Sequence, residues 1–155
     1  MLSPSPISLA AGPLSVEFTW NVDRFTHVLR DARGGAIAWA EAPGAESPVY
    51  VELHEQQPLL FLSGMSADRH WSMSVEATAE GRLVFDAACR AKSSAEHLAS
   101  VYAVEGEGIA ITPLATDGAT PTFEREGDLL VVRPPTPLGG YPQTLRWRYE
   151  ALPSS

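Results

Sequence analysis

This chain of 155 residues contains a single cysteine, a single lysine and no long apolar run. One cysteine cannot form an internal disulfide, so the fold must be held together by its core. No stretch approaches the roughly 18 apolar residues that a membrane helix needs, and the N-terminus lacks the basic start and apolar stretch of a signal peptide. By default we therefore expect a soluble, cytoplasmic protein with no membrane partner.

Positive charge is also scarce. The chain has 11 Lys and Arg against 19 Asp and Glu, which gives a net charge of −8. Proteins that bind nucleic acid cluster lysine and arginine in order to displace counterions from phosphates. The sequence therefore predicts no nucleic-acid partner, and leaves small molecules and other proteins as the classes of partner.

Recognisable catalytic and metal-binding motifs are missing as well. There is no Gly-x-Ser-x-Gly elbow, the motif that presents a nucleophilic serine. The histidines do not occur at the spacings by which one strand or helical turn presents two metal ligands; they are His27, His54, His70 and His97. The sequence therefore predicts no metal site, no cofactor and no catalytic residue.

Turn residues and alternating apolar residues are abundant. Thirteen prolines and twelve glycines lie between short apolar runs, most of which have one polar face. This pattern predicts an all-β fold, a single antiparallel domain of about ten short strands with little or no helix, arranged as a two-sheet sandwich or a closed barrel. We expect residues 1–13 to be an extended or disordered lead-in and residues 14–152 to form the β domain.

The clearest alternation lies in segment 70–90, where a turn separates two apolar sets. For both sets to lie on one side of the sheet, the numbers of facing residues must sum to an even number. A three-residue loop at 79–81, with Gly81 in the left-handed conformation, meets this condition. The register buries Cys89, which we expect to be an unreactive thiol. The facing pairs are Trp71 with Cys89, Val75 with Phe85, Ser74 with Asp86, and His70 with Arg90.

Four other segments carry specific expectations. Segment 49–55 is expected to be a strand with Val51 on its apolar face, and segment 59–63, apolar on both faces, to be a strand covered on both sides. Gly106-Glu107 is expected to close a hairpin between the strands that flank it. Segment 93–96 has the spacing of a capping box, but we favour a loop there over a helical turn.

One short pattern occurs twice. Asp23-Arg24 and Asp68-Arg69 each begin a strand immediately before aromatic residues. Strand ends present loops, and arginine beside aromatic groups is enriched in binding hot spots. The register of the hairpin places Arg90 beside His70, so both are also candidates. His27 lies on an otherwise apolar face, where a histidine is either hydrogen-bonded in the core or part of the lining of a pocket. The candidate binding residues are Asp23, Arg24, His27, Asp68, Arg69, His70 and Arg90.

These observations favour a non-enzymatic β module that binds a small ligand or a partner protein through strand-end loops or one sheet face. One alternative is an enzyme of hydrolase type that uses His70 with Asp68 or Asp86. Another is a structural protein that forms a homo-oligomer through an edge strand or an exposed aromatic patch. The four tryptophans lie on apolar faces, which is compatible with a packed core or with a ligand cavity.

Overall fold

The computed structural model describes residues 4–31, 35–93, 97–136 and 139–154. Within these ranges the chain forms strands, turns and irregular segments and no helix, so the predicted all-β fold is confirmed. The strands in chain order are β1 (Ile7–Ala11), β2 (Leu14–Asn21), β3 (Arg24–Asp31), β4 (Ile37–Glu41), β5 (Glu52–Gln56), β6 (Leu59–Ser66), β7 (Arg69–Ala77), β8 (Leu83–Ala91), β9 (Ser100–Val104), β10 (Ile109–Leu114), β11 (Thr122–Glu126), β12 (Leu129–Arg133) and β13 (Gln143–Pro153).

These strands form two antiparallel sheets. The order in the seven-stranded sheet is β1-β2-β3-β4-β9-β12-β11, and in the six-stranded sheet it is β10-β13-β8-β7-β6-β5. The sheets do not close into a barrel, so the fold is a sandwich. Alternate side chains of each strand fill the space between the sheets. Three of the four tryptophans belong to this core: Trp39, Trp71 and Trp147.

The predicted hairpin forms with the expected register. Strands β7 and β8 pair Trp71 with Cys89 and His70 with Arg90. The Thr78 amide donates to the Arg82 carbonyl oxygen at 2.8 Å, which leaves residues 79–81 as the loop. Gly81 takes a φ of +79° in that loop. The parity argument holds because one buried face is enough to exclude a register shifted by one residue.

The prediction for segment 49–55 is wrong in part. Strand β5 begins only at Glu52, Tyr50 is buried, and Val51 is 42 % exposed. The Tyr50 carbonyl accepts the Phe25 amide of the seven-stranded sheet at 2.8 Å, whereas the Val51 amide donates to Ser63 of the six-stranded sheet at 2.9 Å. The chain therefore crosses from one sheet to the other between two adjacent residues, and the alternation breaks at that point.

The prediction for segment 59–63 also needs correction. Leu60 and Leu62 are buried in β6, but Phe61 is 39 % exposed. Its side chain lies on the outer face of the six-stranded sheet. Segment 59–63 is therefore covered on one side only, and its second apolar face is on the surface.

The hairpin predicted at Gly106-Glu107 does not form, because β9 and β10 belong to different sheets. The amides of Glu105 and Gly106 both donate to the Ala38 carbonyl oxygen, at 2.9 and 3.2 Å. A β-carbon at Gly106 would lie 2.9 Å from the Ile37 carbonyl oxygen. Close packing on β4 therefore directs the chain away from β9 and into the opposite sheet.

The lead-in is more ordered than expected. Its residues 7–11 form β1, which pairs with β2 and buries Leu9 and Ala11. Residues 1–3 lie outside the described residues. So do residues 94–96, and with them most of the segment for which a loop was favoured over a helical turn.

Candidate functional site

The two Asp-Arg pairs lie in hairpin turns of the same construction. Each turn has a two-residue loop in which the aspartate comes second, and the arginine begins the next strand. The first loop residue has a positive φ in both turns, 64° at Val22 and 53° at Ala67. This left-handed conformation is costly for residues that carry a β-carbon. Backbone strain of this kind is often found at binding loops, so both turns remain candidates for function.

Both turns are tied to one connecting segment, residues 46–48. The Arg24 Nη1 atom donates to the Pro48 carbonyl oxygen at 3.4 Å, and Arg69 forms an ion pair with the Glu46 carboxylate. Arg24 also binds Asp23 at 3.0 Å, and this hydrogen bond lowers the pKa of the Asp23 carboxyl group. Since the turns belong to different sheets, segment 46–48 brings them to the same end of the sandwich.

A pocket of 120 Å³, here called the strand-end pocket, lies beside the turn between β6 and β7. Four of the seven candidate residues line it, together with Met65, Ala67 and Lys92. The four are Asp68, Arg69, His70 and Arg90. The others do not join them: Asp23 and Arg24 occupy the neighbouring turn, and His27 is buried in the core.

Positive charge is concentrated in the strand-end pocket, although the whole chain carries a net charge of −8. Within the described residues, the side chains of His70, Arg90 and Lys92 have no hydrogen-bond or ion-pair partner. The Asp68 carboxylate accepts a hydrogen bond from the Ser93 hydroxyl, and this contact lowers the pKa of Asp68. The pocket thus combines two unpaired cations and a histidine with one carboxylate that is already engaged.

Sequence reasoning missed Lys92 as a member of this pocket. The signal was present, since Lys92 follows Arg90 by two residues and therefore continues on the same face of the chain. It is also the one lysine of an acidic chain. The positively charged residues on the outer face of the β7–β8 hairpin, taken together, indicate Lys92 as a member of the pocket.

The contacts of His70 and of the two aspartates bear on the hydrolase alternative. His70 makes no side-chain hydrogen bond to a carboxylate in the described part of the chain. Asp86 is bound to Arg146 at 2.6 Å and lies 3.6 Å from Arg148. It also lies four residues along β8 from Arg90, the residue opposite His70, which is a distance of about 13 Å at the usual rise of a strand. Asp68 lines the same pocket as His70, but its carboxylate accepts the Ser93 hydroxyl.

His27 belongs to a buried polar chain that joins the two sheets. Its Nε2 atom lies 2.7 Å from the Tyr102 hydroxyl, which in turn lies 2.7 Å from the Tyr149 hydroxyl of β13. Glu41 Oε1 accepts the His27 backbone amide at 3.3 Å and lies 3.1 Å from Nδ1. The Nδ1 contact is outside hydrogen-bond geometry. Of the two roles considered for His27, the structure shows a hydrogen-bonded core histidine.

Tyr50 lies in the same core, but its hydroxyl group has no hydrogen-bond partner among the residues that the structure describes. Burial raises the pKa of Tyr50 well above its usual range, and it raises the pKa of Tyr102 and Tyr149 as well. A phenol whose pKa is raised in the folded state contributes stability below its unfolded pKa of about 10, and this contribution is lost as the pH rises above that value. The free energy of unfolding is therefore expected to fall at alkaline pH.

We expect the Tyr50→Phe variant to have a higher free energy of unfolding at pH 7, by about 1 kcal/mol, because it removes a buried hydroxyl that has no partner. Its loss of stability above pH 10 should also be smaller than that of the unmodified chain. Urea unfolding at the two pH values measures both effects. The matched variant Tyr102→Phe removes two hydrogen bonds and should be less stable at pH 7. If both variants lose stability equally, the Tyr50 hydroxyl has a partner after all.

Cys89 behaves as the sequence predicts. Its side chain is fully buried, and burial raises the pKa of the thiol to about 11. Since the thiolate is the reactive form, the thiol stays protonated and inert near neutral pH. It contributes to the core as a small apolar side chain.

Two further searches of the described residues were negative. No group of three or more histidine, cysteine, aspartate or glutamate side chains is placed to hold a metal ion. No helix among them is long and apolar enough to cross a membrane. Comparisons with protein-family models, with curated proteins and with solved structures find no match to this chain.

Proposed function

We propose that this chain is a non-enzymatic β-sandwich module that binds a small molecule through an anionic group in the strand-end pocket. One observation carries the proposal: Arg90 and Lys92 line the same small pocket and have no partner among the described residues. Unpaired cations that share a concave site attract carboxylates and phosphates, because charge-assisted hydrogen bonds are about twice as strong as neutral ones.

Two further features support this proposal. Arg69 is held in the wall of the pocket by Glu46, and Asp68 is held by Ser93, so part of the lining is fixed before a ligand arrives. Groups that are already ordered lose less entropy on binding. Asp68 lines the same pocket but accepts a hydrogen bond from Ser93, and His70 makes no hydrogen bond to it among the described residues. This favours binding over hydrolysis, since a general base is usually oriented by a second group.

Binding is tested by isothermal titration calorimetry with inorganic phosphate and with citrate as probes. We expect the Arg90→Gln/Lys92→Gln variant to bind the better probe at least about tenfold more weakly, because each lost charge-assisted hydrogen bond is worth about 1.5 kcal/mol or more. Arg82→Gln is the control, since it removes one positive charge from the other end of the same hairpin, where Arg82 binds Glu150 at 2.9 Å. It should leave the affinity within about twofold of the original.

The titration has two outcomes that contradict the proposal. In the first, neither probe binds at concentrations up to about 10 mM, which would make any binding free energy smaller than about 2.7 kcal/mol. Alternatively, Arg90→Gln/Lys92→Gln and Arg82→Gln reduce affinity equally, which means that net charge acts and not the pocket.

A further inference from the structure

The outer face of the six-stranded sheet carries a trough beside the strand-end pocket. Strand pairing places Ser63 beside Ser72, Ser72 beside Ala88, and Ala88 beside Arg146. The first three side chains are short, so this row across the sheet is low. The row on one side carries the longer side chains of Met65, His70 and Arg90. The row on the other side carries Phe61 and Asp86 with the short Ser74 between them. The resulting trough has a volume of 410 Å³.

The lining of the trough is polar along its floor and apolar at one end. The hydroxyl groups of Ser63, Ser72 and Ser74 have no hydrogen-bond partner in the part of the chain that the structure describes. Each can therefore donate one hydrogen bond and accept others. The Phe61 ring is 39 % exposed at one end. At the other end Arg146 and Asp86 form an ion pair of 2.6 Å.

The hydroxyl groups, the aromatic ring and the ion pair of the trough together favour one class of ligand over others. An apolar ligand would cover the three serine hydroxyls and leave them without partners, which is unfavourable. A ligand with negative charge along its whole length would meet the Asp86 carboxylate. A neutral ring with several hydroxyl groups fits both constraints, because its edges donate and accept hydrogen bonds while its C–H face packs on an aromatic ring.

We infer that the trough binds a neutral sugar ring of a ligand whose acidic sugar ring occupies the strand-end pocket. The inference rests on the proposed function and names its ligand class as an acidic oligosaccharide. The distances agree with two linked rings, since residues two apart on a strand are separated by about 6.6 Å. His70 and Arg90 lie two residues from the floor positions Ser72 and Ala88. His70 and Arg90 line the strand-end pocket, so the pocket lies in the row of side chains next to the floor of the trough.

The test uses three probes in calorimetric titrations of the full chain. They are glucuronic acid, the neutral disaccharide cellobiose, and the disaccharide in which glucuronic acid is linked to glucose. The acidic disaccharide is expected to bind about tenfold more tightly than glucuronic acid, the effect of one or two additional net hydrogen bonds. Cellobiose is expected to bind more weakly than either, because it lacks the anionic group.

Two variants distinguish the contribution of the trough to binding from that of the pocket. Ser72→Val removes a hydroxyl group and fills the floor, while the β-branched side chain favours the strand. It should abolish the tenfold advantage of the acidic disaccharide and leave the affinity for glucuronic acid within about twofold. The control Thr112→Val makes a similar change on β10, on the same outer face but outside the trough. It should alter neither affinity.

The outcomes distinguish the inference from the proposed function. If phosphate or citrate binds but glucuronic acid does not, or if the second ring adds no affinity, the inference is overturned and the proposed function stands. The inference also fails if Ser72→Val keeps the tenfold advantage. If no anionic probe binds, both proposals fail together.

Discussion

Replacing Gly64 with alanine is expected to lower the free energy of unfolding by more than about 3 kcal/mol or to prevent folding. A β-carbon at this position would lie 1.9 Å from the Val49 carbonyl oxygen and 3.2 Å from the Tyr50 α-carbon. Both contacts are with backbone atoms, so no side chain can move aside to make room. The crossing segment would have to leave β6, and its hydrogen bond from Val51 to Ser63 would be lost with it.

Thermal and urea unfolding of Gly64→Ala measure this effect, with Gly44→Ala as the control. A β-carbon at Gly44 would meet nothing within 4 Å. The control should therefore differ from the original chain by less than about 1 kcal/mol. Similar unfolding midpoints for the two variants would show that the crossing segment can shift, contrary to the packing described here.

Replacing Glu41 with alanine is expected to lower the free energy of unfolding by about 1 to 3 kcal/mol, the usual cost of leaving a buried hydrogen-bond donor without its acceptor. The Glu41 side chain is only 4 % exposed, and its carboxylate is the acceptor for the His27 backbone amide. Without it, that amide loses its side-chain acceptor. Denaturant unfolding gives the change directly.

A double-mutant cycle tests whether this cost comes from the pair itself. The loss of stability in the double variant His27→Phe/Glu41→Leu should be smaller than the sum of the losses in the two single variants. In the double variant, neither the Glu41 carboxylate nor the His27 ring remains buried without the other. Glu17→Ala is the surface control, since Glu17 and Arg30 form a partly exposed pair at 3.3 Å. It should cost less than about 1 kcal/mol. Strictly additive effects in the cycle would contradict a coupled pair.

The features that could be predicted from the sequence are those fixed by neighbours along the chain. The register of β7 and β8 follows from period-2 alternation and from Gly81, all within one hairpin. The grouping of His70, Arg90 and Asp68 follows from the same register, because all three lie at one end of it. Four of the seven candidate residues therefore line the pocket, and Lys92 is the charged lining residue that the prediction did not include.

The features that could not be predicted depend on contacts distant in sequence. The crossing at Tyr50 and Val51 requires knowledge that Phe25 and Ser63 lie in different sheets. The exit of the chain from β9 depends on Gly106 packing against Ile37. Neither contact leaves a periodic signal, since alternation reports which face is apolar and not which sheet a strand joins.

The sequence indicates only one member of the buried polar chain, His27. His27 interrupts an apolar face, which indicated a satisfied core histidine or a pocket. Its partners Tyr102 and Glu41 come from other strands of the same sheet, and Tyr149 comes from the opposite one. No local pattern links such residues.

The crossing at Tyr50 and Val51 has a mechanical consequence for the whole molecule. Consecutive residues hold one hydrogen bond to each sheet, so the sheets cannot slide past one another without rupturing one of the two. Segment 46–48, which anchors both Asp-Arg turns, leads directly into this crossing. Slow local opening of either sheet is thereby coupled to the other, and amide protons on both sides should exchange in a single cooperative unit.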